Sequence, residues 1–259
     1  MIQTVRKAWN IPELRKKIVF TLLILLIYRL GNAIPVPYVD VAALSSYLES
    51  MSTTVLGLYN VMSGGAFADA TVFALSIQPY INASIIIQLL TVAIPALERM
   101  AREEGEEGRK KIASITRYTT VAIALIQGFA YYMLMRNQYN ILTNDSIAAA
   151  FVIIITFVAG SAFIMWLGEQ ITEFGIGNGI SIILFASIIS RIPAGVSTMY
   201  TNRETLGVVG LVAIVVGLLA LVILIAHVYN AERRIPVQYA KRQVGRRMYG
   251  GQNTTLPAK

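Results

Sequence analysis

The sequence predicts an all-α, multi-pass membrane protein, and three observations carry that prediction. The chain is 56% hydrophobic and 14% charged, whereas soluble domains carry about a quarter charged residues. Six apolar runs approach or exceed the roughly 20 residues that a helix needs to cross a bilayer. Most of the 22 basic residues fall in three segments, Arg6–Lys17, Arg99–Arg117 and Arg233–Lys259, which six crossings would place on one face of the membrane.

The predicted spans are residues 18–34, 71–94, 115–135, 147–167, 179–200 and 206–229. Residues 1–17, 95–114, 168–178 and 230–259 are then cytoplasmic, and six crossings put both termini on that side. No small-residue cleavage site follows the first apolar run, so it reads as a retained span rather than a removed signal. Pro35 and Pro37 end it, and Pro95 ends the second. The charge-rich AREEGEEGRKK stretch, 101–111, reads as a solvated loop. A net charge of +8 could suggest nucleic acid, but retention of Lys and Arg on the cytoplasmic side explains it first. The absence of cysteine excludes disulfides and thiolate chemistry.

The chain is organised around Tyr59–Thr91, which is apolar enough for a bilayer yet broken twice. Ser63-Gly64-Gly65 interrupts a short amphipathic segment, 55–70, and Pro79 lies within the next apolar run. Glycine permits backbone angles other residues avoid, and proline removes a helical N–H donor. Backbone breaks survive at membrane depth only against protein or a watery cavity.

Four stretches in fixed order, FALSIQPYINASIIIQLL, EEGRKKIASITRY, MWLGEQITEFGIGNGISII and RRIPVQYAKRQVGRRMY, resemble the SecY family, the central channel subunits of the bacterial protein translocase. The resemblance covers nearly the whole chain. It implies a SecY-type channel, the N-terminal half plus a sixth helix with a short plug helix, in the bacterial cytoplasmic membrane with the N-terminus cytoplasmic. The family has ten spans in two pseudo-symmetric halves. Six are expected here, so the sequence reads as a portion of that architecture, and half a clamshell encloses no pore alone.

The resemblance places Ile77 and Ile81 of the second span, with Ile180 and Leu184 of the fifth, in a constriction ring that seals by dewetting. Each pair is spaced i, i+4 and so shares a helical face. Composition alone reads the same residues as core or lipid-facing. Leu184 departs from the family's usual isoleucine. Residues 55–70 resemble the plug, with Gly64 and Gly65 as its hinge; the alternative is an ordinary interfacial helix. Asn82, Ser84 and Gln88 would sit on a wall of the lateral gate, or would serve as helix–helix glue. In the tail, Arg233, Arg234, Tyr239, Lys241, Arg242, Arg246 and Arg247 read three ways: as a positive-inside anchor on anionic lipids, as point charges on ribosomal RNA phosphates, or as a docking loop for both the ribosome and the SecA ATPase. The implied partners are SecE, SecG, SecA, the ribosome and preprotein chains bearing signal sequences; no cofactor and no enzymatic activity are implied.

Other signals are discounted. Gly175-Ile176-Gly177-Asn178-Gly179 lacks the spacing and preceding strand of a dinucleotide fingerprint and reads as a backbone break. Glu169 and Glu173 read as solvated loop residues, His227 stands alone, and Asn144-Asp145-Ser146 is a glycosylation pattern without meaning in a bacterium. A secondary transporter, the rival class, needs charged residues at mid-membrane, and Arg29 is the charge well inside a predicted span. An intramembrane hydrolase needs a nucleophile and base, and neither Ser84 nor Ser181 has a histidine nearby.

Overall fold

The computed structural model describes residues 11–137, 141–201, 203–238, 242–244, 247–249 and 253–258. The chain divides into two compact units, residues 1–193 and 194–259. The first contains α1 (Pro12–Gly31), α2 (Val41–Ser50), α3 (Val55–Met62), α4 (Gln78–Ala93), α5 (Pro95–Arg102), α6 (Gly105–Arg136), α7 (Ile147–Phe174) and α8 (Gly179–Ile189), and α9 (Ile192–Thr201) starts at its end. The second contains α10 (Arg203–Tyr229) and four short strands.

Helix starts follow local chemistry. Pro12, Pro79 and Pro95 occupy first-turn positions, where a missing N–H costs nothing. Asp40 accepts from the N–H groups of Ala42 and Ala43, Ser146 from Ala149, and Asn178 from Ile180 and Ser181. Each satisfies amides that have no partner within the helix.

Several boundaries differ from the sequence expectation. Pro79 initiates α4 rather than interrupting a longer helix, and residues 71–77 are turns instead of the first part of the second span. The first helix starts at Pro12, so Arg15, Lys16 and Lys17 lie in its opening turns, and it stops at Gly31. The expected loop at 101–111 is largely helical. Lys111 pairs there with Glu104 at 2.9 Å and Glu107 at 3.6 Å, and solvated helical turns hold such charges as readily as a loop does. Residues 168–174, expected in a loop, continue α7, so Glu169 and Glu173 are helical. The fifth expected span is two helices separated at Ser190–Arg191. Gly207, with φ of 65°, sets off the first residues of α10 from the helical run Val209–Tyr229.

Among the described residues, four helical stretches are long and apolar enough to cross a membrane: Gly105–Arg136, Ile147–Phe174, Gly179–Thr201 and Val209–Tyr229. The pair α4 and α5, bent by 102° at Ile94, makes a fifth if counted as one. Helix α1 carries four basic residues, Arg15, Lys16, Lys17 and Arg29, within its length.

Two apolar clusters hold the first unit together. One gathers Leu44, Phe67, Leu75, Tyr131, Ile153 and Phe157. The other gathers Tyr28, Phe73, Ile77, Ile164, Leu167 and Ile183. The connections outside the helices are themselves paired. Val36 donates to Ala70 and Val72 to Ile34, while Val39 bridges Leu142.

The tail, expected as a loop, forms two antiparallel ladders, β1 (Arg233–Gln238) with β4 (Asn253–Ala258) and β2 (Arg242–Val244) with β3 (Arg247–Tyr249). Ile235 lies opposite Leu256 and Val237 opposite Thr254, and β-branched residue types favour strands. Pro236 is tolerated because a two-stranded ladder has only edges. Apart from these ladders, the regular structure of the described residues is helical.

Candidate functional site

Four of the functional candidates, Gly64, Gly65, Ile77 and Ile81, lie within residues 55–81. Helix α3 ends at Met62, and the chain then turns through Gly64 and Gly65, with φ of 71° and 96°, angles at which a side chain is strained. Both glycines are also places of close approach. A Cβ on Gly64 would lie 2.9 Å from the Ser187 carbonyl oxygen and 3.0 Å from Ser190 Oγ, and one on Gly65 would lie 3.0 Å from the Arg191 guanidinium. The expected hinge glycines are thus pressed against the end of α8.

Beyond them the segment is held by its own polar groups. Asn60 Oδ1 accepts from the Ala68 N–H at 3.0 Å, and Ser63 Oγ accepts from Phe67 at 3.1 Å. Tyr59 donates to the Leu75 carbonyl at 3.0 Å, and Tyr131 of α6 donates to the Phe67 carbonyl. Burial raises the Tyr59 phenol above its ordinary range, which keeps it a neutral donor. The Phe67 ring stacks on Tyr131 with centroids 4.2 Å apart and tilts against Tyr59 at 4.8 Å. Val72 crosses α7 so closely that a Cβ on Gly160 would fall 1.9 Å from its carbonyl oxygen.

At the far end, Ser76 has φ of 51° and a buried hydroxyl with no hydrogen-bond partner. Such strain next to an unmet polar group is uncommon in a folded interior, and it directly precedes Ile77. Ile77 caps α4, and its carbonyl accepts from Ile81 N–H at 3.1 Å, which fixes the one-turn relation between them. Ile77, Ile81 and Ile180 belong to one apolar cluster. Ile77 is 1% exposed, whereas Ile81, Ile180 and Leu184 are half-buried. Leu184 lies one turn beyond Ile180, outside that cluster.

The three α4 residues expected at the gate, Asn82, Ser84 and Gln88, do not form one stripe. Ser84 and Gln88 line a cavity of about 260 Å³ with Thr91, Ala101, Ile112 and Thr116. Asn82, two residues from Ser84, points about 200° away around the helix. Of the tail residues, Tyr239, Lys241 and Arg246 lie outside the described residues; Arg233 and Arg234 fall on β1, Arg242 on β2 and Arg247 on β3.

Sequence reasoning missed a polar cavity of about 470 Å³ lined by Tyr80, Arg117, Trp166, Glu169, Asn178 and Ile180, among others. Arg117 Nε donates to Glu169 Oε1 at 2.8 Å. Glu169 is therefore the partner of a cation on the neighbouring helix, not a bystander. The available signal was an arginine and a glutamate at the same end of two consecutive antiparallel spans. No group of His, Cys, Asp and Glu that could hold a metal occurs among the described residues.

This arrangement defines a helical, multi-pass membrane protein in which an irregular segment is packed inside the bundle beside an isoleucine-lined contact. The SecY family model matches residues 71–259. The protein translocase subunit SecY of Aquifex aeolicus is 42% identical over all of this chain, which covers 62% of that relative. SecY of Escherichia coli K12 is 42% identical over 96% of this chain, covering 57% of the relative. The chain belongs to the SecY family and spans about three-fifths of the length of these relatives. In fold it is similar to a solved structure described as that of a protein conducting channel, with TM-score 0.63 and 18% identity over 95% of this chain and 53% of the other. A second, concerning the plug domain of SecY, has TM-score 0.62 and 20% identity over 92% of this chain and 52% of the other.

Proposed function

We propose that this chain supplies the first six membrane helices of the pore-forming subunit of a protein-conducting channel. The channel passes unfolded secretory polypeptides across the cytoplasmic membrane and releases apolar segments sideways into lipid; its chemistry is conduction, not catalysis. The observation that carries this reading is the packing of Gly64 and Gly65 against the end of α8, in the segment that leads to the cluster containing Ile77, Ile81 and Ile180. A segment so placed can act as a plug, and a ring of aliphatic side chains can seal by dewetting and yield to a passing chain. The plug would span residues 55–70 with Gly64 and Gly65 at its turn. Ile81, Ile180 and Leu184, being half-buried, are the ring members with surface left to face a lumen; Ile77 backs them. Gln88, Ser84 and Asn82 would line the lateral gate.

The basic distribution supports a cytoplasmic N-terminus and tail. SecE and SecG are the expected membrane partners. The tail arginines would dock SecA and the ribosome and meet anionic lipids, supplying energy from outside a chain that has no phosphate-binding loop of its own. The test is photo-crosslinking from a probe at Ile81 to an arrested secretory chain, with the whole channel assembled in membranes. The expected result is an adduct that requires a functional signal sequence. No adduct from a folded, assembled channel would refute the pore assignment.

A further inference from the structure

The irregular chain after α3 is held in an unfavourable shape. Ala70 and Ser76 have φ of 41° and 51°, left-handed angles that cost an L-residue, and both are fully buried. The Ser76 hydroxyl has no hydrogen-bond partner there, whereas in water it would have one. The seated segment is under load, and most of its bonds cannot hold it. Asn60 and Ser63 accept from amides of the same segment, and Tyr59 sits on α3 itself, so all three would travel with residues 55–70. Val36 reaches Ala70 from another irregular connection. From α4, Gln78 donates to the Met62 sulfur at 3.4 Å, a weak acceptor. From α6, Tyr131 donates to the Phe67 carbonyl. The Tyr131 side chain is 4% exposed. Its ring stacks on Phe67 and tilts against Phe157 of α7 at 5.1 Å, which anchors the phenol on a helix of 32 residues. All of these groups lie within the first compact unit.

We propose that Tyr131 is a positioning residue, the latch that keeps residues 55–70 seated against the strain at Ala70 and Ser76. A hydrogen bond between a phenol and a carbonyl away from water is costly to break while the partners stay dry, and the stacked rings fix its direction. Tyr131 belongs to α6, which packs along both α4 and α7, so the latch is carried by a helix outside the segment it holds. A shift of α6 by a fraction of the bond's length breaks the bond, and the strained segment then gains by leaving. The purpose of that release rests on the channel reading: an apolar segment that enters beside α4 and α6 would unseat the plug by moving the helix that carries its latch.

The test measures maleimide labelling of a thiol introduced as Ala66→Cys, at a residue 2% exposed, in the assembled and otherwise cysteine-free channel in membranes without preprotein. Tyr131→Phe keeps the ring stack and removes the donor, and should speed labelling about fivefold, the worth of one hydrogen bond. Ser76→Gly relieves both the angle and the unmet hydroxyl, and should slow labelling about threefold, the gain being reduced by the freedom glycine has in the displaced chain. Together the two changes should largely offset each other. A thiol introduced instead as Ala149→Cys, also 2% exposed and in the first turn of α7, should label at one rate throughout. An unchanged rate at Ala66→Cys in Tyr131→Phe would mean that the bond holds nothing, and an equal rise at Ala149→Cys would mean that Tyr131 merely supports the bundle; either overturns the proposal. No slowing in Ser76→Gly would remove the strain that the latch is said to resist, and would overturn it too. Transport is not measured in these experiments. An arrested secretory chain that failed to speed labelling of the parent channel would count against the channel reading and leave the latch standing.

Discussion

Replacing Gly64 with alanine tests whether the proposed plug is restrained by backbone contact. The left-handed angle at this position costs an L-residue about 1–2 kcal/mol. The new Cβ would also stand 2.9 Å from the Ser187 carbonyl oxygen and 3.2 Å from its Cα, and helical backbone cannot swing aside as a side chain can. Moving the segment off α8 relieves both costs, so the displaced population should rise about 5–30-fold for that energy. The chain has no cysteine, so Ala66→Cys introduces a single thiol, at a residue 2% exposed in the packed segment. Its rate of maleimide labelling in membranes should rise by the same factor in the Gly64→Ala background. Gly105→Ala is the control: φ is +59° there too, but nothing lies within 4 Å, so labelling at Ala66→Cys should not change. Ser190→Ala should rescue little, because the closer contact is with backbone. An unchanged labelling rate in Gly64→Ala would refute the claim that approach to α8 holds the plug.

Two further expectations follow from contacts in the structure, and a third from the tail. Ser187 Oγ donates to Ile183 at 2.8 Å, so Tyr28 must be the donor in their shared bond; a double-mutant cycle of Tyr28→Phe and Ser187→Ala by thermal unfolding should give a coupling of about 1 kcal/mol, and a value near zero would mean the bond is not formed. The Arg117–Glu169 pair, 51% and 25% exposed at its side chains, should contribute under about 1 kcal/mol, so Glu169→Gln should lower the unfolding midpoint slightly and less so at high salt; a large, salt-independent loss would contradict the exposure. Arg242→Glu should abolish motor-driven preprotein transport while leaving membrane insertion of the chain intact, and full transport in that variant would remove the docking role from the tail.

Long-range pairings explain what the sequence left hidden. The Gly64-Gly65 break was readable because glycine pairs at the end of a short amphipathic run have few other uses. The purpose of those glycines was not, since it depends on Ser187 and Arg191, more than a hundred residues away. Pro79 was visible but ambiguous: a proline inside an apolar run and one in the first turn of a helix look alike until the chain before it is known to be irregular. Glu169 was set aside because its cation is 52 positions distant. Helix α2 carried its signal openly, in Asp40 ahead of Val-Ala-Ala-Leu, and went unread beside the longer apolar runs. The tail ladders pair residues up to 25 positions apart, and local pattern specifies such partners poorly.

Helix α4 has 16 residues, about 24 Å at 1.5 Å per residue, less than the ~30 Å of a bilayer's hydrocarbon. The irregular chain before it makes up the difference, leaning on Gly160 of α7 and hydrogen-bonded to Tyr59, Asn60, Ser63 and Tyr131. Pulling that chain away strips carbonyls and amides of their partners at a depth where lipid offers none. Only water can take those bonds, so the segment cannot leave its seat dry. If the proposed plug moves, displacement and wetting become a single event, and an apolar seal turns aqueous in the act of opening.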